Sequence, residues 1–103
     1  MPYEQIFLAL SDPTRRAIFE ALRAGPQAVG ALAAGQGVSG PAVSQHLKVL
    51  AAAGLVQAEA RGTARHYHAL PEGLEALRDY VDGVWGNALV AFAAEVEKQQ
   101  GSD

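Results

Sequence analysis

The stretch AVGALAAGQGVSGPAVSQHLKVLAAA, residues 28–53, decides the fold of this chain. Its first part, 28–34, places apolar residues at helical spacing, and the glycine-rich residues 35–37 predict a tight turn. Ser39 is an N-cap candidate, because a hydroxyl can accept a hydrogen bond from a free N–H in the first turn of a helix. We therefore expect two short helices joined by a glycine turn, the second running to about Ala53.

The second of these helices has one face for a core and one free face. Steps of 100° per residue place Val43, Leu47 and Leu50 within about 60° of arc, which predicts a narrow buried stripe. Gln45 and Lys48 fall on the opposite side. Glutamine can pair with adenine through two hydrogen bonds, and lysine can reach a phosphate or guanine, so this face suits a DNA major groove. An ordinary solvated helix face is the alternative reading of the same residues.

A short hairpin is predicted directly after the second helix. The runs 55–60 and 65–70 flank residues 61–64, and a glycine in such a short connection is typical of a β-hairpin. Alanine favours strands poorly, so this prediction depends partly on the context. Arg61 and Arg65 bracket the turn, where they can straddle a phosphate backbone, although a solubilising loop is the alternative. Helix, turn, helix and hairpin in this order form a winged helix-turn-helix.

Further helices are predicted on both sides of this unit. Residues 3–10 and 14–24 have apolar side chains at helical spacing, and Asp12-Pro13 between them is an N-cap followed by proline at the first helical position. Residues 72–98 form a last helix with apolar side chains at intervals of three and four.

The charges are unevenly distributed along the chain. The net charge of −3 is an argument against nucleic acid, since strong DNA binders are often basic. Residues 1–68, however, contain six basic and four acidic side chains, a sum of +2, whereas residues 69–103 sum to −5. The excess acid is therefore a property of the last third, and the mildly basic part contains the proposed DNA-facing surface.

The composition excludes several classes of protein. With no cysteine among 103 residues, disulfides, thiolate metal ligands and a cysteine nucleophile are impossible. A phosphate loop and a recognisable Ser/His/Asp set are both missing, so neither an enzyme nor a cofactor is expected. No stretch reaches 18 apolar residues, and residues 1–5 lack a basic region, which predicts a cytoplasmic protein without a membrane partner. The length suits one domain over residues 1–103.

Three ordered blocks resemble the ArsR family of winged helix-turn-helix repressors. They are LSDPTRRAIFEAL at 10–22, PAVSQHLKVLAAAGLV at 41–56 and RGTARHYHAL at 61–70, and the resemblance covers nearly the whole chain. It implies a mainly α fold with a small β-hairpin and a homodimer built on the first and last helices. In that dimer we interpret the aromatic residues of the last helix as part of the core, with an effector pocket between subunits as the alternative. It also implies operator binding through the helix at 39–53 and the wing at 58–67, with a signal that releases the DNA.

These patterns and the resemblance together define the predicted regions and sites. The helix-turn-helix spans about 28–53, the wing about 55–70 and the dimerisation helix about 72–98. The partners are double-stranded DNA, at an imperfect inverted repeat, and a second copy of the chain. The predicted DNA-binding residues are Ser39, Gly40, Pro41, Ser44, Gln45, His46, Lys48, Arg61, Thr63 and Arg65. The predicted dimer-interface residues are Phe7, Leu10, Leu77, Val81, Val84, Trp85, Leu89 and Phe92.

The sensing chemistry is less constrained than the DNA-binding surface. The cysteine site of the family's metal sensors would fall at about 29–34, where this chain has no cysteine. A second family site needs histidine on the last helix, which offers Asp79 and Asp82 but no histidine. His66 and His68 share one face of a strand and are candidate metal ligands, with surface polarity or DNA contact as the expected role. A small effector, a nickel- or zinc-responsive regulator with histidine and carboxylate ligands, and a protein-interaction adaptor without DNA binding stay open.

Overall fold

Over residues 2–101, which the computed structural model describes, five helices and three short strands follow one another, with side chains described for residues 3–99. The arrangement confirms a mainly helical winged helix-turn-helix with a small antiparallel sheet. The elements are α1 (Pro2–Ser11), α2 (Pro13–Arg23), β1 (Gln27–Ala28), α3 (Val29–Gln36), α4 (Gly40–Ala52), β2 (Val56–Arg61), β3 (Ala64–Ala69) and α5 (Pro71–Gly101).

The helices α2 and α4 begin at the residues that the sequence predicts. The Asp12 side chain accepts a hydrogen bond of 2.8 Å from the Arg15 backbone N–H, and Pro13 follows it in the first turn. The Ser39 hydroxyl likewise accepts from the Ala42 N–H at 3.2 Å. Both side chains satisfy a donor that the helix itself leaves free, so each helix start is set locally.

Two local features differ from the predicted pattern. Helix α3 continues to Gln36 instead of ending at 34, and Gly37 with φ of 65° makes the left-handed turn by itself. Residues 27–28 form β1, a strand that the pattern does not predict, because two residues show no periodicity. β1 pairs with β3, with Ala28 opposite His66, and the sheet has the strand order β1-β3-β2.

The predicted hairpin is confirmed, and its strands join through a two-residue turn. β2 and β3 pair in antiparallel register, from Val56 opposite Ala69 to Arg61 opposite Ala64. Gly62 has a φ of 61° and no other type of residue has a positive φ in the described part of the chain, which fits a type II′ turn with glycine first. The alanines are accepted in these strands because β3 is paired on both sides.

The core lies between the first four helices and the sheet. Its largest fully buried side chains come from α2, α3, α4 and the residue just before β2, and each is less than 2% exposed. The buried residues are Ile6, Ala9, Ile18, Phe19, Leu22, Leu32, Val43, Leu47, Leu50, Leu55 and Val56. Burial of these side chains supplies the main force that holds α4 in its orientation.

Helix α5 extends well beyond this core. Its 31 residues span about 46 Å at 1.5 Å per residue, and the chain measures 72 Å along its longest axis against 24 and 23 Å along the others. α5 packs against α1, where the Tyr80 ring stacks on Tyr3 at 4.4 Å between centroids and meets Phe7 edge to face at 5.4 Å. Past Leu77, every residue from 78 to 95 is exposed. Within the described residues, no helix has both the length and the apolar character to span a membrane.

Candidate nucleic-acid interface

The packing of α4 decides which of its side chains can reach DNA. Val43, Leu47 and Leu50 are at most 1% exposed, which confirms the stripe predicted from their spacing. Gln45 and Lys48 are exposed on the opposite side. Because the buried stripe holds the rotation of the helix about its axis, the amide and the ammonium are presented away from the core together.

The N-terminal end of α4 carries small side chains and is accessible to solvent. Ser39 and Pro41 are exposed, while Gly40 and Ser44 are half-buried. A Cβ added to Gly40 would lie 3.9 Å from Cγ1 of Val29, so α3 passes close to this end without covering it. The free N–H groups of a helix start attract phosphate, and small residues allow a DNA backbone to approach them.

His46 lies on the flank of α4 that faces the start of α2. It is half-buried, in contrast to Gln45 beside it. The pKa of Asp12 is lowered, first by the hydrogen bond from the Arg15 backbone N–H, against the opposing effect of desolvation, and then by the charges of His46 and Arg15. The imidazole therefore stands near the Asp12 carboxylate, where the two helices of the core meet.

The tip of the hairpin presents two arginines to solvent. Arg61, Thr63 and Arg65 are all exposed. Arg65 is opposite Ala60 in the strand register and Arg61 is opposite Ala64, so the two arginines lie on opposite faces of the hairpin. This placement suits a tip that reaches past a phosphate backbone with one cation on each side.

His66 and His68, the candidate metal ligands, are partly exposed, and the His68 side chain keeps 31% of its surface open to solvent. Both are half-buried in the central strand β3, and the unpredicted strand β1 pairs along its second edge with Ala28 opposite His66. They share a face with Glu59, and Nδ1 of His68 lies 4.0 Å from Oε2 of that residue. Each Nδ1 is buried and has no hydrogen-bond partner in the part of the chain that the structure describes. No group of three or more histidine or carboxylate side chains among the described residues is placed to hold a metal ion.

The residues predicted to form the dimer interface divide into two groups according to their exposure. Leu10 and Leu77 are half-buried and pack against the core of their own chain. The others expose at least 39% of their surface and lie on α1 and one side of α5. These exposed residues are Phe7, Val81, Val84, Trp85, Leu89 and Phe92. A row of large apolar side chains left open to water is typical of a protein contact surface.

The sequence pattern does not predict a close backbone contact between the start of α5 and the turn after α4. Gly73, in the first turn of α5, lies so near the backbone of Gly54 that an added Cβ would overlap its carbonyl oxygen. The same Cβ would lie 3.1 Å from Cα of Leu55. The start of α5 is thus seated on the turn that follows α4. A glycine in the first turn of a helix is a weak signal, because it predicts a close approach without naming the partner.

Comparisons of the sequence identify relatives among transcriptional regulators. A family described as a helix-turn-helix domain matches residues 10–57. The chain is 49% identical over 96 residues to the HTH-type transcriptional regulator Rv2034 of Mycobacterium tuberculosis, covering 93% of this chain and 90% of that protein. It is 36% identical over 62 residues to the transcriptional repressor SdpR of Bacillus subtilis, covering 60% of this chain and 69% of SdpR.

Solved structures share the same architecture. An ArsR-like transcriptional regulator from Rhodococcus sp. RHA1 superposes with a TM-score of 0.81 at 31% identity, over 90% of this chain and 88% of that one. The homodimeric winged helix-turn-helix DNA-binding domain of Mb0332 from Mycobacterium bovis, determined in solution, gives 0.68 at 30% identity, over 85% and 82%. By sequence and by fold, the chain belongs to the ArsR family of winged helix-turn-helix transcriptional regulators, which are not enzymes.

Proposed function

We propose that the chain acts as a homodimeric repressor that binds double-stranded DNA at an inverted-repeat operator and releases it in response to a signal. In this proposal α4 is the recognition helix, the β2–β3 hairpin is the wing and α5 is the dimerisation helix. The description of SdpR as a repressor and of the Mb0332 domain as homodimeric and DNA-binding supports it.

The exposed polar face of α4 carries this proposal. Gln45 and Lys48 lie opposite a fully buried stripe, so the backbone from which they project is held rigidly against the rest of the molecule. A recognition helix needs this rigidity, because a base edge is read by hydrogen bonds of defined direction. Arg61 and Arg65 on the hairpin add positive charge beside the groove, where phosphate contacts supply affinity.

A second copy of the chain is the partner that the α5 stripe fits. Two recognition helices related by a two-fold axis enter successive major grooves about one helical turn apart. The acidic side chains of α5 are exposed along this helix, whereas α4 carries no acidic residue and the wing carries Glu59 alone. Repulsion between these carboxylates and phosphate then favours the orientation in which α4 and the wing face the DNA.

Fluorescence anisotropy on DNA from upstream of the gene tests the DNA-binding part of the proposal. We expect tighter binding to a fragment that contains an inverted repeat than to its shuffled sequence. The logarithm of the binding constant is expected to fall linearly with the logarithm of the salt concentration. Each phosphate contact contributes about −0.9 to the slope of this line. Added to a transcription reaction on the same fragment, the protein should lower the amount of transcript.

Two outcomes contradict this function. Equal affinity for every sequence would show that the protein does not recognise a specific operator. An affinity that stays unchanged between about 50 and 300 mM salt would show that phosphate contacts do not contribute to binding. A stoichiometric protein partner, recovered while no DNA sequence is selected, would instead favour an interaction adaptor built on the same scaffold.

A further inference from the structure

We propose that a cavity between α2, β3 and the start of α5 is an effector site for small organic monocarboxylates, an inference that rests on the proposed DNA-binding function. The cavity has a volume of about 360 Å³. This size lies at the lower end of the range of small-molecule pockets, which are concave and mostly apolar.

The walls of this cavity suit an apolar ligand body. Phe19 and Leu22 of α2 line the cavity, and so do Pro26 and, from α5, Leu74. Phe19 and Leu22 are at most 3% exposed, so they are anchored in the core and form a rigid surface. Apolar walls of this kind recover free energy by removing hydrocarbon surface of the ligand from water.

The polar groups of the cavity select an anion. Arg23 and His68 line it, and no aspartate or glutamate occurs among the described residues that do so. Arg23 donates to Glu20 at 2.9 Å, but both side chains are more than half exposed, and pairs of this kind contribute little. The guanidinium can therefore turn to a ligand carboxylate, which it matches with two parallel hydrogen bonds. His68 also lines the cavity, but its Nδ1 is buried and lies 4.0 Å from Oε2 of Glu59, so the Arg23 guanidinium is the group that selects the anion.

The position of the cavity connects it to the recognition helix. Leu70, another lining residue, donates its backbone N–H to the carbonyl oxygen of Leu55 at 2.8 Å. Gly73, in the first turn of α5, is seated against Gly54 in the turn that follows α4. A ligand that displaces the segment 70–74 therefore moves α5 relative to α4, and with it the spacing of the two recognition helices in a dimer. Operator binding depends on that spacing.

Titrations of the full chain with benzoate, phenylacetate, hexanoate and octanoate test the site. Each acid is compared with its uncharged primary amide, and binding is followed by amide chemical shifts without DNA. We expect at least one carboxylate to shift the resonances of Arg23, His68 and Leu74 saturably and to bind roughly tenfold more tightly than its amide. Arg23→Gln should weaken this binding about fivefold, whereas Arg16→Gln, an exposed arginine on the same helix that does not line the cavity, should leave it unchanged.

The same carboxylate should lower operator affinity in the anisotropy assay, and the Arg23→Gln variant should require more ligand for the same effect. Absence of saturable shifts at the cavity up to about 10 mM, or equal binding of the amides, overturns the site. Binding without any change in operator affinity overturns its role as an effector site. A chain that binds no operator at all refutes the proposed function instead, and the shift titration still decides whether the cavity binds carboxylates.

Discussion

At the residue scale, the candidate interface combines two kinds of contact with different consequences. Gln45 on α4 faces outward with a side chain that can distinguish bases, whereas Arg61 on the wing offers a charge that every phosphate attracts equally. The same distinction applies to the helix caps. As N-caps, Asp12 and Ser39 determine where α2 and α4 begin and hence which residues occupy each face of these helices.

Substitutions at these two positions separate base recognition from phosphate attraction. We expect Gln45→Ala to reduce the preference for operator over random DNA by about 1–3 kcal/mol, the range for a good two-bond contact to a base. Arg61→Ala should weaken binding to all sequences and reduce the salt slope by about 1. Arg78→Ala, an exposed arginine on α5, is the matched control and should change neither quantity. If both interface variants lose operator and random DNA equally in anisotropy titrations, the separate roles are wrong.

The Asp12 cap predicts a specific dependence of stability on acid. The folded state lowers the pKa of this carboxyl below its ordinary value of 3.8, chiefly through the backbone hydrogen bond from Arg15. A lowered pKa means that the stabilisation is complete above the ordinary pKa and is lost as the pH falls through the folded value. We expect Asp12→Asn, which retains the cap, to unfold in urea near the wild-type midpoint at pH 7 and to lose less stability on acidification to about pH 3.

Asp12→Ala is the complementary variant in this experiment. It removes the cap at every pH, so its midpoint at pH 7 should lie below those of the wild type and of Asp12→Asn. An acid dependence that is identical in all three proteins would show that the carboxylate does not carry the effect.

At the element scale, each helix and strand takes its direction from one or two local signals and its orientation from packing. The hairpin illustrates both contributions. Gly62 supplies a backbone conformation that other residues avoid, and this conformation turns the chain at that point. Pairing of β3 on both edges then supports strands that are rich in alanine and would not form alone.

Two glycine substitutions test the turn against a matched helical position. An added Cβ finds open space at both Gly62 and Gly30, so only the backbone conformation differs. Gly62→Ala should lower the free energy of unfolding by about 1 kcal/mol or more, because its φ of 61° is unfavourable for alanine. Gly30→Ala, inside α3, should raise it by about 0.5–1 kcal/mol. Urea unfolding measures both values, and a stabilising Gly62→Ala would exclude the left-handed turn.

At the scale of the whole molecule, the main feature is that a single chain leaves the apolar side of α5 uncovered. α5 continues past the core with every residue from 78 to 95 exposed, and large apolar side chains lie along one side. A helix of this kind gains most of its stability from packing and not from propensity. A second copy would cover this stripe and would place two recognition helices on one DNA.

Charge placed on either side of α5 tests this assembly. Trp85 lies within the stripe and is 63% exposed, whereas Val90 is 70% exposed about 160° from the centre of the stripe. We expect Trp85→Lys to produce monomers in sedimentation equilibrium and to weaken operator binding at least about tenfold, since each monomer then binds one half-site. Val90→Lys should remain dimeric. Circular dichroism should be unchanged in both, and a dimeric Trp85→Lys protein would refute the proposed interface.

The sequence by itself determined the order of helices and hairpin, the helix starts at Asp12 and Ser39, and the buried stripe of α4. These features arise from neighbours along the chain, through capping, turn chemistry and apolar periodicity. Tertiary structure alone decided that β1 pairs with β3 beside His66, that Gly73 rests on the turn after α4, and that Arg23 and His68 share a cavity. Each of these joins residues far apart in the chain, and their contact depends on how the elements pack, which no local pattern encodes.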